Sequence, residues 1–273
     1  MAVRKKTKAT HAPPNPPAKP AARKQTTAVP WSLAEAMKAL EKAGSPPTKK
    51  TYLRHGAKEP LFGVTFATLK DLLKKIGVDH DLALALWDTG NFDARNLAVK
   101  IADPLKMKVA DLDRWARDNS VTMCRGYVAA LAGESSHGAS RADAWRSSRD
   151  VTQRATGWSV VGALAMRDLA TPDAWFLARL TEIEKSINAA PNEERSAMNQ
   201  ALISLGCRSA AFRKTVTAAA KRIGPVTVDH GDTACKTPDA VAYISKSWDH
   251  SVAKRFESPA AQERSRESMR LRC

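Results

Sequence analysis

The sequence predicts an all-α fold, on three observations. Apolar-periodic windows of helical length follow one another along most of the chain. Ser, Thr or Asp opens many of them and Gly or Pro closes them. Strand signals are nearly absent outside Val226, Thr227 and Val228.

Taken in order from Trp31, Ser32 is placed to cap LAEAMKALEKA, which Gly44 stops, and Thr65 to cap FATLKDLLKKI, which Gly77 stops. Asp79 opens HDLALALWDT, Gly90 separates it from FDARNLAVKIA, and VADLDRWARD follows Pro104. Beyond these lie a long apolar helix around QRATGWSVVGALAM, then PDAWFLARLTEIEKSINAA, EERSAMNQALISLG and AAFRKTVTAAAKRI. The tetrapeptide TPDA occurs at 171–174 and again at 237–240, each time before an apolar-periodic run. Thr is expected to cap, Pro to sit at the first helical position without needing its missing N–H, and Asp to favour the positive end of the helix dipole.

The second TPDA ends the stretch VDHGDTACKTPDA, where His230, Asp232 and Cys235 crowd together. Zinc needs a fuller ligand set at finger-like spacing than these three supply, so the stretch reads as a turn, with Gly231 at the bend, and no metal is expected. The four cysteines (Cys124, Cys207, Cys235, Cys273) form no CxxC pair and suit reduced thiols.

The chain has 273 residues, 43% of them hydrophobic, enough for one substantial core or two small ones. Without a membrane-length apolar run or a signal-peptide pattern, a soluble, cytoplasmic protein is expected. Lys and Arg number 44 against 28 Asp and Glu, a net +16 at pH 7. Residues 1–30 carry seven of those cations and no acid in a Pro- and Ala-rich background, which predicts a disordered basic tail and leaves +9 on residues 31–273. A polyanionic partner is the leading inference, against a merely solubilising surface with an adhesive tail.

Paired helices with short connectors, repeating at about 40 residues per pair, suggest an α-solenoid of HEAT or armadillo type over residues 31–250, with a basic C-terminal helix or tail over 251–273. A globular multi-helix bundle is the alternative. On the second helices of a solenoid, Arg95, Lys100, Arg125, Arg154 and Arg213 would form one basic groove matched to a duplex backbone; each taken singly also reads as part of a solvated helix face.

Five blocks make a more specific pattern: EPLFGVTFATLKDLLKKI, HDLALALWDTGNFDARNLAVKIADP, RATGWSVVGALAMRD, MNQALISLGCR and AAKRIGPVTVDHGDTACKTPDAVAYI. In order and over residues 31–247, they resemble the AlkD-type DNA alkylation repair family. The resemblance implies a right-handed solenoid of HEAT-like repeats holding duplex DNA in a basic concavity, with no cofactor, as a monomer associated with the nucleoid. Active members excise N3- and N7-alkylated purines without flipping the base, and a carboxylate near the sugar stabilises the oxocarbenium-like transition state. The helix equivalent to the one that bears their Asp is NSVTMCRGYVAALAG (119–133), and it holds no Asp or Glu. Cys124 or Arg125, depending on a one-residue shift, fills the Asp position; Ser120 or Val121 and Gln200 stand where aromatic residues are expected; Arg154 matches. The resulting expectation is a DNA-binding protein without robust excision. The alternatives are an active glycosylase that borrows Asp118 or Asp93 and a protein-interaction scaffold.

Overall fold

The computed structural model describes residues 30–118 and 122–272, and among these it is built from helices alone, fifteen of them. Local capping sets the starts as the sequence suggests. At α1 (Leu33–Ala43) the Ser32 hydroxyl takes the Glu35 amide while the Glu35 carboxylate returns to the Ser32 N–H at 2.8 Å, a reciprocal capping box. Thr65 caps α3 (Phe66–Ile76), which ends at Gly77 with φ 78°, and Asp79 caps α4 (His80–Asp88). A further helix, α2 (Pro46–Arg54), begins on two prolines. Val226 to Val228 forms no strand; the Thr227 carbonyl instead accepts from Arg195 Nη1 at 3.0 Å.

The two TPDA segments differ from expectation and from each other. Asp239, not Thr237, caps α13 (Ala240–Ala253) by accepting the Ala242 amide, and Pro238 lies outside the helix. At α10 (Asp173–Ser186) Pro172 occupies the cap position with no side-chain cap, and Asp173 pairs with Arg208 at 3.1 Å. Thr237 meets His230 Nε2 at 3.0 Å across a turn where Gly231 takes φ 55°. That arrangement accounts for VDHGDTACKTPDA as a folded loop.

From α4 onward the helices pair: α4 with α5 (Phe92–Ile101), α6 (Val109–Asp118) with α7 (Thr122–Glu134), α8 (Gly138–Arg146) with α9 (Val151–Arg167), α10 with α11 (Asn192–Gly206), and α12 (Ala210–Ile223) with α13. The first helices begin at His80, Val109, Gly138, Asp173 and Ala210, so the repeats are 29, 29, 35 and 37 residues long. This is shorter than the sequence spacing suggested, because connectors such as that from α7 to α8 are only a few residues long. The chain is an α-solenoid of HEAT-like repeats.

Each of the first helices α4, α6, α8 and α10 carries one tryptophan, Trp87, Trp115, Trp145 and Trp175, on the outer layer. Trp87 and Trp115 stack at 4.2 Å. The indole N–H groups of Trp145 and Trp175 donate to Asp113 and Asp143 of the preceding repeat, and Arg141 and Arg179 pair with the same two carboxylates. Repeats are therefore registered by bonded carboxylates as well as by apolar burial.

The second helices pack neighbour on neighbour, α5 on α7, α7 on α9, α9 on α11 and α11 on α13, with α9 against α11 the most extensive contact. Glycine permits this: a Cβ on Gly162 would lie 3.3 Å from Ser204 Oγ and 3.6 Å from the Ala201 Cα. The layer whose helices approach most closely lies on the inside of a solenoid's curve, so these second helices form the inner face. Residues 251–272 fold back on it: α14 (Pro259–Arg264) packs on α9 and α13, and α15 (Met269–Arg272) on α7, α5 and α3. Of the tail expected over residues 1–30, residues 1–29 lie outside the described residues. No described helix is long and apolar enough to cross a membrane.

Candidate nucleic-acid interface

Two adjoining cavities open on the inner face. The first, about 400 Å³, lies between α7, α9, α11 and the C-terminal segment; small residues of the three helices (Gly126, Ala130, Gly162, Ala201) line it together with Arg125, Gln200, Arg167 and Glu263. The second, about 490 Å³, shares Gln200 and Glu263 with the first and is lined by Tyr243, Lys246 and His250 of α13 and by Arg266.

Most cations expected in the groove are already engaged. Lys100 is fully buried: its Nζ donates to the Arg270 carbonyl at 2.7 Å and sits 4.4 Å from the Tyr127 ring. It is therefore enclosed and does not present its charge to solvent, a correction to the surface placement expected of it. Arg154 Nε holds Glu194 at 2.8 Å, and its Nη1 bonds the Ser148 and Arg149 carbonyls. Arg95 stacks on Trp87 and reaches the Asp118 carbonyl at 3.1 Å and carboxylate at 3.5 Å. Arg213 covers Trp248 at 5.1 Å, on the outer helix α12 and not on an inner one.

The two candidates on α7 that the sequence resemblance set against an Asp point in different directions. Arg125 lines the first cavity, whereas Cys124 points into the core, where burial pushes its thiol up to about 12. Arg125 is itself 3% exposed and paired with Glu193, and burial pulls its guanidinium down to about 10. Ser120 and Val121 lie outside the described residues, and Gln200 lines both cavities.

Both fallback carboxylates are engaged, Asp93 buried and Asp118 exposed. Asp93 is fully buried at the start of α5 and accepts the amides of Phe62, Gly63 and Val64 at 2.6, 3.0 and 2.8 Å, clamping the loop before α3. Asp118 accepts the Trp87 indole N–H at 3.1 Å and pairs with Arg95.

The open basic side chains at the mouth of the second cavity were missed by sequence reasoning. Among the described residues Lys246, His250 and Arg266 make no salt bridge, and all three are exposed. Tyr243, half exposed, stands one turn before Lys246, so Tyr243, Lys246 and His250 fall at i, i+3 and i+7 on one face of α13. That spacing was visible in AYISKSWDHS, but only the fold brings Arg266 to it.

The sequence pattern of the DNA alkylation repair enzyme family matches residues 36–240. This chain belongs to that family. Among similar proteins, an uncharacterized protein of Listeria monocytogenes is 27% identical over 214 residues, 76% of this chain and 93% of the relative; a second, from Listeria innocua, matches to the same extent. A solved structure described as a new family of proteins related to the HEAT-like repeat DNA glycosylases, with affinity for branched DNA structures, superposes with a TM-score of 0.74. It is 32% identical, over 81% of this chain and 95% of its own. The matched span of the DNA alkylation repair fold ends inside the TPDA segment that opens α13, so residues 241–272 extend beyond it.

Proposed function

We propose that this member of the DNA alkylation repair family binds DNA on its inner face and does not cleave N-glycosidic bonds. The observation that carries the binding half is the pair of uncommitted cations, Lys246 and Arg266, gathered with the His250 imidazole beside an exposed Tyr243 at a cavity mouth. Cations without carboxylate partners take phosphate at little desolvation cost, and an exposed aromatic ring offers a stacking platform for an unpaired base. The relative with affinity for branched DNA makes a four-way junction the appropriate probe.

The second half follows from carboxylate chemistry. Stabilising an oxocarbenium-like sugar needs an ionised carboxylate near it. In the first cavity the helix position in question carries Arg125, and Glu193 and Glu263 are each paired with arginine. A guanidinium there would raise the energy of a cationic transition state.

One experiment tests both halves: fluorescence anisotropy with a four-way junction, a straight duplex and a duplex bearing one 7-methylguanine, with abasic sites scored in the last. Salt-dependent binding, tightest to the junction, without abasic sites is expected. Robust excision would establish the glycosylase alternative, and no binding to any of the three at low salt would leave the scaffold reading. Deleting residues 2–29 should lower the salt slope without abolishing binding, since that segment carries seven cations.

A further inference from the structure

The C-terminal segment lies where a polyanion would be expected to lie, and its bonds to the inner layer use the chemistry a phosphate backbone would offer. Glu263 of α14 accepts from Arg167 Nη1 at 3.1 Å, and the same nitrogen meets the Glu263 carbonyl at 2.8 Å. Arg167 Nη2 takes the Arg266 carbonyl at 3.2 Å. On α15 the Arg270 carbonyl receives the Lys100 ammonium. The Arg270 guanidinium, 4% exposed, bonds the Val99, Lys100 and Ala102 carbonyls and the Glu134 carboxylate, the last at 2.7 Å. Farther along, the Ala260 amide donates to the Cys207 carbonyl, and Met269 rests against Gly126, whose added Cβ would meet it at 3.6 Å. Two inner-layer cations are thus occupied by oxygens of the chain itself, and the surface of α7 and α9 is roofed.

We propose that residues 254–272 are an autoinhibitory strap that competes with DNA phosphates for Lys100 and Arg167. This rests on the DNA-binding reading above. A duplex then engages first at the open α13 face and Arg266, and reaches α5, α7 and α9 only as the strap lifts, with the Arg266 side chain staying on phosphate while its backbone detaches. Lys100 and Arg167 each trade one anionic or carbonyl oxygen for another, so neither is left buried and bare, while the Glu134 carboxylate and the carbonyls that Arg270 held pass to water as the strap uncovers them. The helices of the strap are six and four residues long, too short to persist once detached, so lifting converts ordered backbone into exposed coil.

Two measurements on the full-length protein decide it. The first is hydrogen exchange with and without a saturating four-way junction. Amides of 259–272 should exchange at least several-fold faster in the complex. The second compares the junction affinity of Glu263→Gln with that of Glu267→Gln, an exposed position on the same strap with no ion pair among the described residues. Both remove one negative charge, but only Glu263→Gln loosens the hold on Arg167 and Arg272, so it should bind about fivefold more tightly than the control. The urea midpoint of each variant checks that tighter binding does not come from unfolding, which would also free cations. Equal affinities, or strap amides that keep or gain protection at saturation, overturn the proposal while leaving DNA binding intact. Binding by Glu263→Gln where wild type shows none would support it strongly. Failure of all three proteins to bind at low salt would overturn both readings.

Discussion

Arg154 sits in the first turn of α9, and its partner Glu194 is 7% exposed and also receives the Trp158 indole N–H at 3.3 Å. Arg154→Ala would strand that carboxylate, so a loss of about 2–3 kcal/mol is expected, read as a lower urea midpoint at unchanged slope. An unchanged midpoint with weakened DNA binding would show instead that the arginine serves the ligand. The buried thiols make a second expectation. Burial raises Cys124 to about 12 and Cys207 to about 11 from an ordinary 9.0. Above pH 9 the unfolded chain loses these protons while the folded chain keeps them. Their contribution to stability is therefore intact below pH 9 and is lost as pH rises through the folded values. Urea midpoints at pH 8, 9.5 and 10.5 should fall more steeply for wild type than for Cys207→Ala, and at pH 8 iodoacetamide should label exposed Cys235 while sparing Cys124 and Cys207.

At the scale of elements, the face of α13 bearing Tyr243, Lys246 and His250 should act as a unit with Arg266. Lys246→Ala and Arg266→Ala are each expected to weaken binding to straight and branched DNA alike and to reduce the log–log salt slope by about 1, whereas Tyr243→Ala should act mainly on the junction, by about 1–3 kcal/mol. A salt slope unchanged in the double variant Lys246→Ala/Arg266→Ala would place the interface elsewhere. This face could be read from its spacing alone once α13 was known to line the inside; its sequence does not distinguish it from any solvated helix surface. Caps and apolar period made α1, α3, α4 and α12 legible, because Ser32, Thr65, Asp79 and Gly77 act locally. The short helix α8, GASRADAWR, escaped because Ala142 and Trp145 give it too narrow an apolar stripe to register as periodic. The strap escaped for a different reason. Its helices are shorter than any periodicity window, and its anchors are backbone carbonyls some 170 residues away, such as those Arg270 finds at Val99 and Lys100. Likewise Lys100 looked like a groove cation because nothing nearby in sequence announces that Arg270 will cover it.

Over the whole molecule, the proposed function sets an arginine, Arg125, in a HEAT-like solenoid where an excising enzyme would need a carboxylate. Excision of 7-methylguanine is expected at background while the same duplex is bound, and Arg125 gives the means of testing why. Arg125→Asp alone is a poor test, since it would set a buried carboxylate beside the part-exposed Glu193 with no cation between them, and that like-charge contact would destabilise the site or raise one of the two carboxyl pKa values. The informative variant is Arg125→Asp with Glu193→Gln, which adds a carboxylate to the wall of the first cavity without a like charge paired against it, and Glu193 also gives up its bond to Thr152 at 3.2 Å at small expense. Adding Glu263→Gln to loosen the strap would open that wall to DNA. The triple variant is expected to generate abasic sites detectably above background under single-turnover conditions, well short of an optimised enzyme, because Gln200 supplies no ring to position the sugar and a small misplacement costs about a hundredfold in rate. Folding is checked independently by the urea midpoint. A folded triple variant that binds the lesion duplex yet forms no abasic sites would mean that the missing carboxylate is not what silences the site, and that positioning by aromatic side chains is the larger deficit.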